Sequence, residues 1–255
     1  MKKTPLLVLD FDGVICDSVD ECFASSWTAY HELRLGRTGA RPDDAMRQGF
    51  KILRPFVRSG EDFVLIQEIL ARGTRVADQA SFDAAARKEG EAVRERYREL
   101  FYQARSDHLR RDRAGWLALN RVYPHMKLAL SRLPSSAPPF VLSTKKPPFI
   151  AEILAANGVG IPPERIIWSD AEPKLHTAAR LRDQAGCPEA VFIEDQVDAI
   201  QGNADPRIRP YLATWGYVKK EWLSGSEVAL LTPDDFLKLV ERELVESALV
   251  DGPPA

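Results

Sequence analysis

The stretch Leu6–Ser18, LLVLDFDGVICDS, sets an unbroken apolar run against two aspartates one residue apart, Asp10 and Asp12, followed at once by Gly13. A short continuous apolar run bounded by Pro5 and Gly13 reads as a strand buried on both faces, the kind found inside a parallel sheet. Side chains at i and i+2 share one face of an extended strand, so the two carboxylates repel each other unless a cation or a fixed dipole intervenes. Such a cost at a strand end calls for a chemical reason.

Three more apolar runs lie far downstream. Phe140 to Leu142 leads into Ser143, Ile166 to Trp168 into Ser169, and Val191 to Ile193 into Glu194 and Asp195. Helix-like segments fall between them, Pro147 to Asn157 closed by Gly158 and Lys174 to Gln184 closed by Gly186. Strand and helix alternating in this way predict an α/β fold with a doubly wound parallel sheet, in which ligands bind beyond the carboxyl ends of the strands. The polar strand ends therefore converge on one crevice.

From about Val19 to Val122 the texture changes to Ala, Arg and Glu with few strand-like runs, and the segment reads as wholly helical. Ser18 and Glu21 match a capping box opening its first helix, with Trp27, Tyr30 and Leu33 as an apolar stripe. Val93, Tyr97, Leu100, Phe101, Ala104 and His108 recur at helical spacing within a segment from Phe82 to Arg111 that Gly90 kinks or divides. Tyr123 to Leu133 reads as a helix returning to the sheet, and Pro233 to Ser247 as a closing amphipathic helix before a frayed end from Asp251 to Ala255. The boundaries predicted are a core of residues 1–18 and 120–255 and a helical insert of residues 19–119.

Composition narrows the partners. The 255 residues are 45% hydrophobic with a formal net charge of −2, enough to build a sizeable core and with no global drive toward nucleic acid or acidic membranes. The three cysteines, Cys16, Cys22 and Cys187, lack metal-binding or disulfide-framework spacing, so a reducing compartment is expected. The apolar run after Lys2 and Lys3 is too short for a signal sequence, and nothing approaches the roughly 20 apolar residues of a membrane helix. A cytoplasmic location and a small-molecule partner are the expectation, with no nucleic acid and no membrane.

Asp10-Phe11-Asp12-Gly13-Val14, Ser143 after an apolar strand, an isolated Lys174, and Glu194-Asp195 after another strand resemble, in order and spacing, the four motifs of the haloacid dehalogenase superfamily. The resemblance covers roughly residues 1–18 and 120–245 and is nearest to the phosphoglycolate phosphatase and β-phosphoglucomutase-like members. It implies a Rossmann-like core with an inserted, all-helical C1-type cap that closes over the crevice. It also implies a phosphatase that hydrolyses a small phosphate monoester through an aspartyl-phosphate. Asp10 would be the nucleophile, since a carboxylate attacking phosphorus splits one difficult displacement into two easier ones. Asp12 would protonate the leaving alcohol and then deprotonate the hydrolytic water. Lys174 would offset the charge on Asp10 and the phosphoryl group, and Ser143 with Thr144 would bind the phosphate. Mg²⁺ is the implied cofactor, held by the Asp10 carboxylate, the Asp12 backbone carbonyl and Asp195, with Glu194 as a further ligand or an outer partner.

Alternatives remain open at this level. A phosphomutase would use the same core, and a noncatalytic phosphate-ligand sensor could keep the fold. Glu194 and Asp195 could merely cap a helix starting near Val197, and the role of Asp198 is undecided. Thr144, Lys145 and Lys146 depart from the residues usual after the second motif. Arg54 and Arg58, near Lys51, could meet a second charged group of the substrate. The cluster Arg105 to Arg113 reads as a solvated helix face, the five tryptophans as core, and His31, His108, His125 and His176 as core or surface.

Overall fold

The computed structural model describes residues 4–36, 42, 44–169, 172–225 and 227–245, so the expected frayed end and the last two residues of the closing helix lie outside the described residues. The chain divides into two compact units, one of residues 1–17 with 122–255 and the other of residues 18–121.

In the first unit β1 (Leu6–Leu9) is followed by β2 (Cys16–Asp17), and β3 (Arg121–Val122) brings the chain back. After it come β4 (Phe140–Ser143), β5 (Ile166–Trp168), β6 (Ala190–Glu194), β7 (Ile208–Ala213) and β8 (Ala229–Leu231). Six of them form one sheet in the order β5-β4-β1-β6-β7-β8, every pairing parallel. All four residues of β1 are buried, as expected of a strand with neighbours on both edges and cover on both faces. Leu6, Val8, Leu142, Phe192, Ala178 and Leu181 pack in one apolar cluster. The sequence reading found β1, β4, β5 and β6 but not β7 and β8. Charged and proline residues interrupt β7 (IRPYLA), and β8 has only three residues, two of them exposed.

Topology positions the site. From β1 the sheet proceeds through β4 to β5 on one side, and the chain then crosses to β6 and continues to β7 and β8 on the other. The strand order reverses about β1, and such a switch point opens a crevice at the carboxyl ends of the flanking strands. Leu9 pairs with Val141 and with Ile193, so β1 ends within two residues of the ends of β4 and β6, and Asp10, Ser143 and Glu194 lie at neighbouring strand ends.

The second unit is helical: α1 (Val19–Leu35), α2 (Asp44–Leu53), α3 (Gly60–Ala71), α4 (Gln79–Glu89), α5 (Glu91–Arg111) and α6 (Arg113–Ala118). Gly90, at φ +78°, divides the long periodic segment into α4 and α5. Phe23, Phe50, Phe63 and Phe101 touch in series, the first pair edge to face and the next two stacked, with centroids 5.0 to 6.1 Å apart, and join α1, α2, α3 and α5. The expected stripe of Trp27, Tyr30 and Leu33 is only half-buried, and the buried face of α1 carries Cys22, Phe23, Ser26 and Ala29.

Two expectations fail here. Ser18 makes no side-chain cap to α1, and Glu21, the other half of the expected box, turns inward and accepts both arms of the Arg105 guanidinium at 2.9 and 2.8 Å. Arg105 is therefore not on a solvated face; its side chain is 2% exposed and Glu21 is fully buried. Ser25 and Trp116 donate to the same carboxylate at 2.7 and 3.2 Å. In the first unit α7 (Pro124–Arg132), α8 (Pro147–Ala156), α9 (Lys174–Gln184), α10 (Lys220–Gly225) and α11 (Pro233–Leu239) complete the fold, α11 continuing as a π-helical segment, Val240–Val245.

Removing one partner of a buried ion pair leaves the other charge uncompensated, which costs about 3–5 kcal/mol. Arg105→Met is expected to lower the unfolding free energy by that amount in urea titrations, with Arg105→Lys intermediate.

Candidate active site

Asp10 is the first residue beyond β1, and its backbone N–H donates to the Ile193 carbonyl at 2.9 Å, which sets it beside the end of β6. Lys174, the first residue of α9, brings its Nζ to 2.8 Å from Asp10 Oδ1 and 2.6 Å from Glu194 Oε2. Carboxylate oxygens of Asp10, Glu194 and Asp195 all lie within 4.8 Å of one another, and all three residues are buried.

Burial and the neighbouring Glu194 push the Asp10 carboxyl up to about 7, with Lys174 pulling the other way. Burial also raises Glu194 above the usual carboxylate range, against the pull of Lys174. Burial opposes the charge on Lys174, yet Asp10 and Glu194 outweigh it and hold the ammonium above its ordinary value. Both acids and the base therefore bind protons more tightly than usual, the acids chiefly through burial and the base through its two carboxylate neighbours.

Glu194 Oε1 accepts the backbone N–H of Asp195 at 3.0 Å and of Gln196 at 3.1 Å, so it does bind local backbone, although the expected helix is only a 3-10 turn, Val197–Ala199. Asp198 is exposed on that turn and is not in the acidic cluster. Asp195 is fixed from the other side by the loop after β7, where the Tyr217 N–H donates to Asp195 Oδ2 at 2.8 Å. Two glycines make room for it. A Cβ on Gly13, which has φ +93°, would stand 1.9 Å from Asp195 Oδ2, and one on Gly216 would stand 2.4 Å from Asp195 Cβ.

Asp12 follows in the turn that Gly13 opens, where the Gly13 N–H donates to the Cys16 carbonyl at 2.8 Å. Its Oδ1 accepts from Lys145 Nζ at 2.8 Å. Ser143, at the end of β4, is buried, and its Oγ accepts the Lys145 backbone N–H at 3.3 Å. Thr144 is half-buried beside it, and its carbonyl accepts from Trp168 Nε1 at 3.2 Å. Trp168 is 46% exposed at the end of β5, contrary to the core role expected of it. Thus Asp10, Lys174, Glu194 and Asp195 form one cluster, and Asp12 and Ser143 meet through Lys145. The sequence marks Lys145 only as a departure from the second motif and gives Tyr217 no role. A lysine two residues past a strand-end serine was a usable signal for the first; Tyr217 acts on Asp195 through its backbone and leaves none. In the helical unit Arg58 pairs with Asp83 at 2.6 Å, and Arg54 is buried with its guanidinium over the Phe63 ring.

The donor set fits a hard divalent cation. It is all oxygen, buried, and mounted on strand ends, as Mg²⁺ requires of a site that also keeps waters and substrate oxygens. Lys174 is the ammonium that answers the acidic group of Asp10, Glu194 and Asp195, while Lys145 is paired with Asp12, so three carboxyl groups share one cation there.

No protein-family model and no curated protein matches the sequence. Solved structures do match. A provisionally assigned phosphoglycolate phosphatase from Lactobacillus delbrueckii subsp. bulgaricus shares 16% identity over 95% of this chain and 99% of its own, with a TM-score of 0.62. A haloacid dehalogenase-like family hydrolase from Streptococcus pneumoniae shares 16% over 92% and 97%, with a TM-score of 0.56. Protein tyrosine kinase A from Mycobacterium tuberculosis shares 16% over 94% and 99%, with a TM-score of 0.54. At this identity they show the fold, that of haloacid dehalogenase-like proteins, and a fold hosts more than one reaction.

Two outcomes are expected of the protein alone. A divalent cation that fits the site should raise the melting temperature of the parent, and Gly13→Ala, by displacing Asp195, should abolish that rise. In the metal-free protein the folded state keeps a proton on Asp10 up to about pH 7, whereas the unfolded chain releases it near 3.8. Its contribution to stability is therefore greatest at low pH and declines through that window. The melting-temperature advantage of Asp10→Asn over the parent should grow as pH rises from 4 to 7 in EDTA.

Proposed function

We propose that this chain is a Mg²⁺-dependent phosphatase that hydrolyses a small phosphate monoester through an aspartyl-phosphate on Asp10. The observation that carries the reading is the buried Asp10 carboxylate at the end of the central strand, 2.8 Å from Lys174 and inside an acidic cluster suited to a dication. The structural likeness to proteins named as phosphatases and hydrolases supports it.

Asp10, Asp195 and the Asp12 carbonyl would hold the ion, with Glu194 behind them binding Lys174 and the local backbone. A cation held there would supply charge neutralisation to phosphoryl oxygens near the carboxylates. An oxygen of Asp10 attacks phosphorus as the ester P–O bond breaks, and the electron pair goes to the leaving oxygen, which takes a proton from Asp12. Water then attacks the phosphorus and gives its proton to Asp12, the bond to Asp10 breaks, and the carboxylate is restored as orthophosphate departs. Lys174 offsets the charge on the transferred group, and the Ser143 hydroxyl donates to one of its oxygens.

The test is release of inorganic phosphate from a panel of small phosphorylated metabolites with Mg²⁺ and with EDTA. Turnover is expected only with the metal and should fall to background in Asp10→Asn, whose circular dichroism should match the parent. Equal turnover in that variant would sink the mechanism, and slow phosphate release with transfer between hydroxyls of a sugar phosphate would replace hydrolysis by a mutase reaction.

A further inference from the structure

Lys145 has no part in the four-motif reading, yet it is the more deeply enclosed of the site's two lysines, its side chain 1% exposed against 14% for Lys174. An ammonium taken out of water persists only where a counter-charge holds it. Asp12 is that counter-charge, at 2.8 Å, with the Phe11 ring below the ammonium at 5.3 Å. The backbone of the same residue is engaged as well, since its N–H donates to Ser143 Oγ.

We propose that Lys145 is a positioning residue that holds the Asp12 carboxylate by Oδ1, so that the proton exchanged with the leaving group and with water is carried on Oδ2. Through its N–H it also occupies an acceptor position of Ser143 Oγ, which turns the hydroxyl proton toward the phosphoryl group. One residue thereby organises proton transfer and phosphate binding together. The assignment rests on the phosphatase reading. A side chain free to rotate would spend only part of its time in reach of the leaving oxygen, and orientation is worth much of what a general acid–base contributes, commonly about 10²–10⁴-fold.

The test compares Lys145→Met and Lys145→Arg in the full chain with Mg²⁺. We expect kcat in Lys145→Met to fall by about 10–100-fold with KM little changed, a fraction of the acid–base contribution, and Lys145→Arg to recover most of it. In an Asp12→Asn background Lys145→Met should cause no further loss, because a residue that acts through another is silent once that other is gone. Unchanged kcat in Lys145→Met, or the same proportional loss in the Asp12→Asn background, overturns the proposal. Lys145→Gln serves in place of Lys145→Met if the latter does not fold. A readout independent of turnover is the Asp12 rotamer in crystals of the variants, which should stay in place in Lys145→Arg and depart in Lys145→Met. If the parent hydrolyses no ester in the panel, the phosphatase reading fails while the rotamer comparison still decides the positioning role. An unmoved Asp12 in Lys145→Met overturns it.

Discussion

Four carboxylates gather where β1 and β6 end together, and their mutual repulsion is the constraint around which the rest of the unit is arranged. Lys174 bridges Asp10 and Glu194, and Lys145 takes Asp12, so each ammonium answers a different part of the acidic group. Burial sharpens every one of these interactions, because a charge shielded from water must find its partner within the protein. The apolar strands that flank the cluster bring the carboxylates together, and without that packing the acids would simply be solvated.

The loops beyond the strands serve the same constraint at the level of backbone. Asp195 is wedged between the turn at Gly13 and the loop at Gly216, and neither position tolerates a side chain. The Tyr217 N–H meets Asp195, and the Tyr217 hydroxyl meets Asp17 at 2.8 Å. A segment 200 residues from the first motif in chain order is thus packed onto it through a backbone N–H and a tyrosine hydroxyl.

Much of this was legible in the sequence because strand ends in parallel sheets announce themselves: an apolar run, then a polar residue. Asp10, Ser143 and Glu194 stand at the strand ends where that pattern puts them, and α9 begins at Lys174 as its proline and spacing suggest. What escaped was whatever depends on pairing across the chain. Arg105 looked like one more surface arginine in a basic run, and only the carboxylate of Glu21, 84 residues earlier, explains its burial. Glu21 in turn looked like half of a capping box, a local pattern that the long-range ion pair outcompetes. β7 was missed because arginine and proline mask a strand that is fully buried only at Ile208, Leu212 and Ala213.

The order of strands across the sheet also bears on how the chain comes to fold. β1 is the first strand made and lies at the sheet's centre, yet both of its neighbours, β4 and β6, are encoded more than a hundred residues later, beyond an entire helical unit. Loop closure must be accomplished before those pairings reward it, which makes them slow to form. During synthesis the most apolar strand and the acids at its tip therefore wait unpaired while the helical unit completes itself by local contacts. The residues of the acidic cluster belong to the part of the molecule whose pairings close last.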